Sequence, residues 1–321
     1  MNDKENIEYR ISNIEQGFEK FDDISHRNKL TSSNFSNPCS LAQAFNIRYS
    51  ILFLFFSFFI FPSCSAKTAP PPCDTSAYEL IKKIDIQAKW IATDKLQQLY
   101  IITTENEVIK YSPEGKELFR FSNNTLGDLT HIDITNPFSV LLYYPDFLTI
   151  YTLDRTLNKT GEFNLLDLNL TDVETVGMSN DNNVWLYDFV FYKIKKVNRN
   201  GEVLRESIIN LSNEFEKPLQ PNFILERENW LYVNDPKLGI LVFDIYAQYQ
   251  KTIDIKDLTY FQIIDNQLIY KEKEQLKSFH LKSLSTQIID LPEGVSLENQ
   301  IAIQKSKLFV KKKDGVEIYD F

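Results

Sequence analysis

The 321-residue sequence has only 9 glycines and 3 histidines, and no cysteine beyond Cys73. These shortages exclude several chemistries. No glycine-rich phosphate loop, G-x-S-x-G elbow or H-E-x-x-H helix can be written anywhere in the chain. His26, His131 and His280 are scattered, too few for a histidine-rich metal centre. Cys39, Cys64 and Cys73 all fall in the first quarter, so the rest of the chain has neither a disulfide framework nor a cysteine-based zinc site. No run of five like charges occurs, and the longest basic cluster, Lys311–Lys313, reads as a solvated turn. With a net charge of −9 the chain lacks the basic field of a nucleic-acid binder. Nothing calls for a metal or another cofactor.

What the sequence does hold is aromatic side chains, 24 Phe and 16 Tyr, which tilt expectation toward strands. Residues 1–45 mix Asn, Ser, Asp, Glu and Lys with weak periodicity and read as a disordered extension. Ile51–Phe61 is an apolar run broken only by Ser57, preceded by Arg48 and followed by Pro62, Ser63 and Cys64. It is about half the ~20 residues needed to span a bilayer and fits the apolar region of a secretory signal. The Ser63-Cys64 pair resembles the bacterial lipobox, where a peptidase cleaves ahead of a cysteine that receives diacylglycerol. That resemblance implies residues 46–64 as a lipoprotein signal peptide or membrane anchor, with Cys64 the site of lipid attachment. The sequence departs from the pattern in carrying Phe61 at the aliphatic position and Pro62 beside it, and the run begins far from Met1. A retained anchor or a buried apolar helix is the other reading. Residues 65–77, "SAKTAPPPCDTSA", form a Pro-rich tether reaching about 40 Å at ~3.1 Å per residue. A Cys64–Cys73 disulfide competes if Cys64 carries no lipid.

From Tyr78 the chain repeats itself. Six apolar stretches passing into polar residues begin at Leu99, Val140, Val184, Leu231, Leu268 and Leu308, spaced by 41, 44, 47, 37 and 40 residues. A second pattern follows each: "VIKY", "LTIY", "IKKV", "ILVF", "LKSF" and "VEIY", with an aromatic last except at Val197. An earlier apolar stretch and a later one flank them, separated by turn signals such as "SPEGKE" and "NRNGE". Each unit thus predicts four short antiparallel strands in ~40 residues, the size of one propeller blade. Helical solenoids of similar period need longer runs with spacings of three and four, which are missing.

The sixth unit ends at "VEIYDF" with no fourth strand left. In units four and five that strand is "KTIDI" at Lys251–Ile255 and "QIIDL" at Gln287–Leu291, and an orphan "KKIDI" stands at Lys82–Ile86 before the first unit. The expected fold is therefore all-β: a six-bladed β-propeller over 78–321, its last blade closed by the N-terminal strand 78–86. Blade layout and the hairpins "YSPEGKELFRF" and "VNRNGEVLRES" resemble the NHL-type and related bacterial propellers. Those families include enzymes, sugar binders and scaffolds, so the resemblance implies the fold and leaves activity open.

Propeller sites lie where the loops joining second to third strands and fourth strands to the next blade surround the channel mouth. The last residues of the second-strand motifs are Thr103, Tyr144, Asp188, Asp235, Glu272 and Lys312. Asp188, Asp235 and Glu272 on consecutive blades would suit a cation or sugar hydroxyls, or simply cap strand ends. Tyr144 and Asp146 in "YYPDF" pair an aromatic with a carboxylate, as "YDFVFY" does on the next blade. His131 and Asp133 in "HIDIT" alternate on an innermost strand and would face the channel together, as an acid/base pair or as polar lining. Two functions remain: a lipid-anchored envelope protein that docks another envelope protein as a monomeric scaffolding module, or a carbohydrate-binding or lactonase-type hydrolase acting at the channel. Both place the chain at a bacterial cell envelope, the outer membrane foremost.

Overall fold

The computed structural model describes residues 78–215 and 218–321. The extension, the signal or anchor segment with Cys64, and the tether lie outside the described residues. Strands β1 to β24 assemble into six four-stranded antiparallel sheets, the blades of a β-propeller. Blade one runs from its innermost strand β2 (Ala88–Thr93) outward through β3 (Leu99–Thr103), β4 (Glu107–Tyr111) and β5 (Glu117–Ser122). Blades two to five repeat that order, with innermost strands β6 (His131–Asn136), β10 (Val176–Met178), β14 (Phe223–Arg227) and β18 (Phe261–Ile264). Among the described residues the one α-helix is α1 (Leu211–Glu214).

Burial explains why these segments are strands of this kind. The second strand of each blade is packed between neighbouring blades on both faces, so it reads as a continuous apolar run rather than an alternation. All residues of β3 "LYIIT", β7 (Ser139–Tyr144) "SVLLYY" and β11 (Val184–Asp188) "VWLYD" are buried. The outermost strands meet water instead: β5 "ELFRFS" has no buried residue. The core is consequently a set of inter-blade layers, such as the one joining Tyr100 and Ile102 of blade one to Leu142 and Tyr144 of blade two.

Blade six is built from both ends of the domain, in the order β22 (Gln300–Gln304), β23 (Lys307–Lys311), β24 (Val316–Asp320) and β1 (Glu79–Ile84). Lys82 sits opposite Ile318 and Ile84 opposite Val316. The recurring Ile-Asp dipeptide now has a physical meaning. Ile84, Ile253 and Ile289 are the last residues of their fourth strands, and they face the third-strand residues Val316, Ile240 and Leu276. A glycine precedes Val316 and Ile240 because the fourth strand approaches too closely for a side chain. A Cβ on Gly315 would lie 2.3 Å from the Ile84 carbonyl oxygen, and one on Gly239 would lie 2.5 Å from that of Ile253. Tyr78 adds a last tie, its hydroxyl donating to the Asp290 carbonyl of blade five at 2.7 Å.

In one blade the repeat differs from its sequence pattern. The residue facing the first apolar of the second strand is Tyr111, Val197, Phe243, Phe279 and Tyr319 in five blades. In blade two it is Leu153, opposite Val140, and Tyr151 lies two residues earlier. The cause is a 3-10 turn at Pro145–Phe147 closed by Leu148 in the left-handed region (φ 47), which lengthens that hairpin.

Candidate functional site

The channel is lined by the innermost strands, and at its loop-bearing end it is stoppered. Aromatic rings at or near the starts of these strands converge there: Trp90 as the third residue of β2, His131 and Phe223 as the first residues of β6 and β14, and Tyr260 just ahead of β18. Their rings meet edge to face, Trp90 with Tyr260 at 5.0 Å, Tyr260 with Phe223 at 5.2 Å and Phe223 with His131 at 5.9 Å. Such tilted pairs place the positive edge of one ring on the negative face of the next. Blade three contributes Gly177, where a Cβ would lie 2.7 Å from the Ile224 carbonyl oxygen, so β10 and β14 close up against each other. What remains is a cavity of about 60 Å³. That is room for a few water molecules, not for a sugar ring or a lactone.

Together with Ile132 and Ile134, His131 and Asp133 both line this cavity. Their polar atoms are occupied differently. The Asp133 carboxylate accepts from the N–H of Thr135 at 2.7 Å and, across the blade boundary, from the N–H of Met178 at 2.8 Å. It is a strut between blades two and three. His131 Nε2 is buried without a hydrogen-bond partner. Burial holds the imidazole below its ordinary value of 6.5, partly opposed by the nearby Asp133 charge. The folded protein therefore binds fewer protons at His131 than the unfolded chain. Stability from this source is complete above about pH 6.5 and falls as the pH drops below it. The urea midpoint of the wild type is expected to fall more between pH 7.5 and 5.5 than that of His131→Gln; identical slopes would refute a neutral buried imidazole.

Other side chains repeat the strut. Gln300 of β22 clasps the backbone of Ile91, accepting from its N–H at 2.9 Å and donating to its carbonyl at 2.8 Å. Gln262 of β18 treats Ile303 of blade six the same way. Glu226 of β14 accepts from the Asn180 N–H and from the Trp185 indole of blade three. The polar residues of the innermost strands thus fasten blade to blade.

The carboxylates on the surrounding loops are equally committed. Asp188 accepts from the N–H groups of Val190 and Phe191 at 2.9 and 3.2 Å and from Lys195 Nζ at 2.6 Å. Asp235 accepts from the N–H groups of Lys237, Leu238 and Gln220. Glu272 pairs with Lys277, which holds its carboxyl below the usual range. Asp146 is exposed and accepts from the Asp128 N–H, bracing the loop that enters blade two. Tyr144 is buried between blades one and two, its ring against Tyr151, and so lies away from the mouth. Among the described residues no three His, Cys, Asp or Glu side chains come close enough to share a metal ion.

These braces display something else. In blade two Asn164 donates to the Phe147 carbonyl, and in blade three Asn210 donates to the Phe191 carbonyl. Each asparagine also accepts from the N–H two residues on, capping a short helical turn. The second-to-third-strand loop is thereby pinned to the segment leaving the fourth strand. Both pinned pairs hold apolar side chains in water: Phe147 and Leu166 on blade two, Val190, Phe191, Ile208 and Ile209 on blade three, with Phe191 59% exposed. Asp146, Asp167, Asp172, Glu174 and Glu214 are exposed on the same loops or on the segments that follow them. The Lys195 ammonium, tied to Asp188, also sits 4.7 Å from the centre of the Phe191 ring. Within "YYPDF" and "YDFVFY" the exposed side chains are Asp146, Phe147, Val190 and Phe191, while Tyr144 and Asp188 are buried.

No family model matches the chain, and no curated protein matches it. Solved structures do superpose on it. The β-propeller domain of Cps50 (Swd1) from Myceliophteria thermophila is 9% identical with a TM-score of 0.54, covering 76% of this chain and 99% of that one. A streptogramin B lyase is 12% identical with a TM-score of 0.52, over 76% and 97%. The Pan2 WD40 domain of Neurospora crassa is 13% identical with a TM-score of 0.51, over 76% and 95%. At such identities the likeness establishes the propeller fold alone.

Proposed function

We propose that this protein is a docking module of a bacterial envelope, tethered through its N-terminal segment and presenting blades two and three to another envelope protein. The observation that carries this reading is the rigidly pinned, exposed Phe147–Phe191 surface beside a channel too small for a substrate. Exposed apolar side chains rimmed by polar ones mark interaction sites on soluble domains. Their carboxylate surround matches a partner segment that is apolar in the centre and basic at its edges. The lipobox-like Ser63-Cys64 and the Pro-rich tether support attachment to a membrane, with the outer membrane our choice.

Two measurements test it. Cys64→Ala is expected to abolish metabolic lipid labelling, and unchanged labelling would end the lipoprotein assignment. Photo-crosslinkers placed at Phe147 and at Phe191 of the full chain are expected to capture one common partner in intact cells, and a crosslinker at exposed Leu284 should not. Phe147→Ser with Phe191→Ser should cut recovery of that partner at least about tenfold, the size of a lost hot spot. Different partners at the two positions, or equal recovery from the double variant, would overturn the docking assignment.

A further inference from the structure

On the loop-bearing face, away from blades two and three, a groove of about 320 Å³ opens where blades five, six and one meet. That volume is at the lower end for small-molecule sites. Two rings form its inner corner. Trp90 and Tyr260 stand at 89° to each other, and Tyr260 is backed by Phe223, so both faces are held in place. Tyr270 lines the wall on blade five. The floor carries the Gln262 and Gln300 amides, which are occupied by the blade-to-blade clasps and so cannot rearrange freely.

The rim is cationic. Lys89, Lys271 and Lys311 come from three different blades, against the single carboxylate of Glu298 in the lining. On a chain of net charge −9 this is a local reversal of sign. Lys271 donates to the Leu297 carbonyl, and Lys89 donates to the Leu129 carbonyl 3.2 Å away with the Asp128 carboxylate at 3.5 Å. An ammonium has three donors, so both lysines keep capacity for a ligand. Lys311 is half-buried at the groove, and its ammonium is free of any side-chain hydrogen bond or ion pair among the described residues.

A free ammonium beside a corner of aromatic faces selects for two features in one ligand: a negative group and a flat, partly apolar face bearing hydroxyls. A small inorganic anion would leave the rings uncovered. A nucleotide would seek backbone N–H groups on a glycine loop, and no glycine lines the groove. We propose that the groove formed by Trp90, Tyr260 and Lys311 binds an acidic sugar, a uronic-acid residue free or within a glycan, with its ring against the indole and its carboxylate on the lysines. The site shares no residue with the docking surface, so either assignment can fail without the other.

Tryptophan fluorescence reads this directly. Only three tryptophans are present, of which Trp185 is fully buried and Trp230 lies on the opposite face at the start of β15 (Trp230–Asp235). The full-length chain is titrated with a glucuronate-containing disaccharide, with its neutral glucose counterpart and with inorganic phosphate. The expected result is a saturable change with the acidic disaccharide that persists in Trp230→Phe and disappears in Trp90→Phe. Calorimetry of Lys311→Met, whose melting should match the wild type, is expected to show acidic-disaccharide affinity reduced about tenfold, the worth of one charged hydrogen bond. The proposal is overturned if the neutral disaccharide binds as well, if phosphate displaces the sugar, or if Lys311→Met binds unchanged.

Discussion

Deleting residues 78–86 from the otherwise intact chain is expected to lower the thermal midpoint by roughly 10–20 °C. The deletion removes β1, so β24 becomes an open edge and the N-terminal end of the domain is no longer paired into the last blade, leaving blades one and six joined by side-chain packing and the Gln300 clasp on Ile91. Ile84 gives up burial worth about 1.5–3 kcal/mol. The backbone hydrogen bonds of the β1–β24 ladder each contribute about 1 kcal/mol net. Together the loss is on the order of 5 kcal/mol, and a domain of this size shifts by about 2–4 °C per kcal/mol. Because any deletion can harm a protein, the informative variant restores the strand elsewhere. Residues 78–86 appended after Phe321 through a short flexible linker should recover most of the lost stability, since β24 accepts the strand from either side of the chain break. An unaltered midpoint in the deletion, or no recovery in the permuted chain, would refute closure by strand pairing.

Asp188→Ala is expected to cost about 3–5 kcal/mol, as removing one partner of a buried ion pair does. Lys195 would be left in the protein with its counter-charge gone, and the Val190 and Phe191 N–H groups would lose their acceptor. The loop would then release Phe191, so crosslinking from that position should weaken along with stability. Asp188→Ala combined with Lys195→Met separates the two effects. Without the stranded ammonium, the double variant should recover much of the stability. Crosslinking should stay low, because the Phe191 loop remains unpinned. If the single variant melts like the wild type, Asp188 does not hold this loop; if the double variant crosslinks normally, the loop does not need holding.

Legibility in the sequence followed local burial. The second strands were readable because a blade sandwiched between two others needs apolar residues on both faces, and "LYIIT" or "VWLYD" leaves no other reading. The closing strand was readable for a related reason. An Ile that must fill the space opposite the third strand recurs at Ile84, Ile253 and Ile289 and brings the same neighbours with it. The phase of blade two was not, because Tyr151 carries the aromatic of the pattern while the left-handed Leu148 shifts the pairing to Leu153. Nor was the fate of the loop carboxylates. For Asp188 and Asp235 the sequence allows both a ligand site and a strand-end cap, and whether a carboxylate faces a ligand or caps its own turn depends on N–H groups that only the folded loop brings to it.

The amino-acid order alone determined a six-fold β architecture and its closure, since both depend on short-range pairing and on which residues tolerate burial. Tertiary structure decided what lies at the centre and on the face. Trp90, His131, Phe223 and Tyr260 belong to four different repeats, and each lies at or near the start of its innermost strand with nothing in its own unit to mark a shared destination. Radial convergence brings such residues together, and it is a property of the closed ring that no single blade encodes. The same convergence gathers Lys89, Lys271 and Lys311 around one groove.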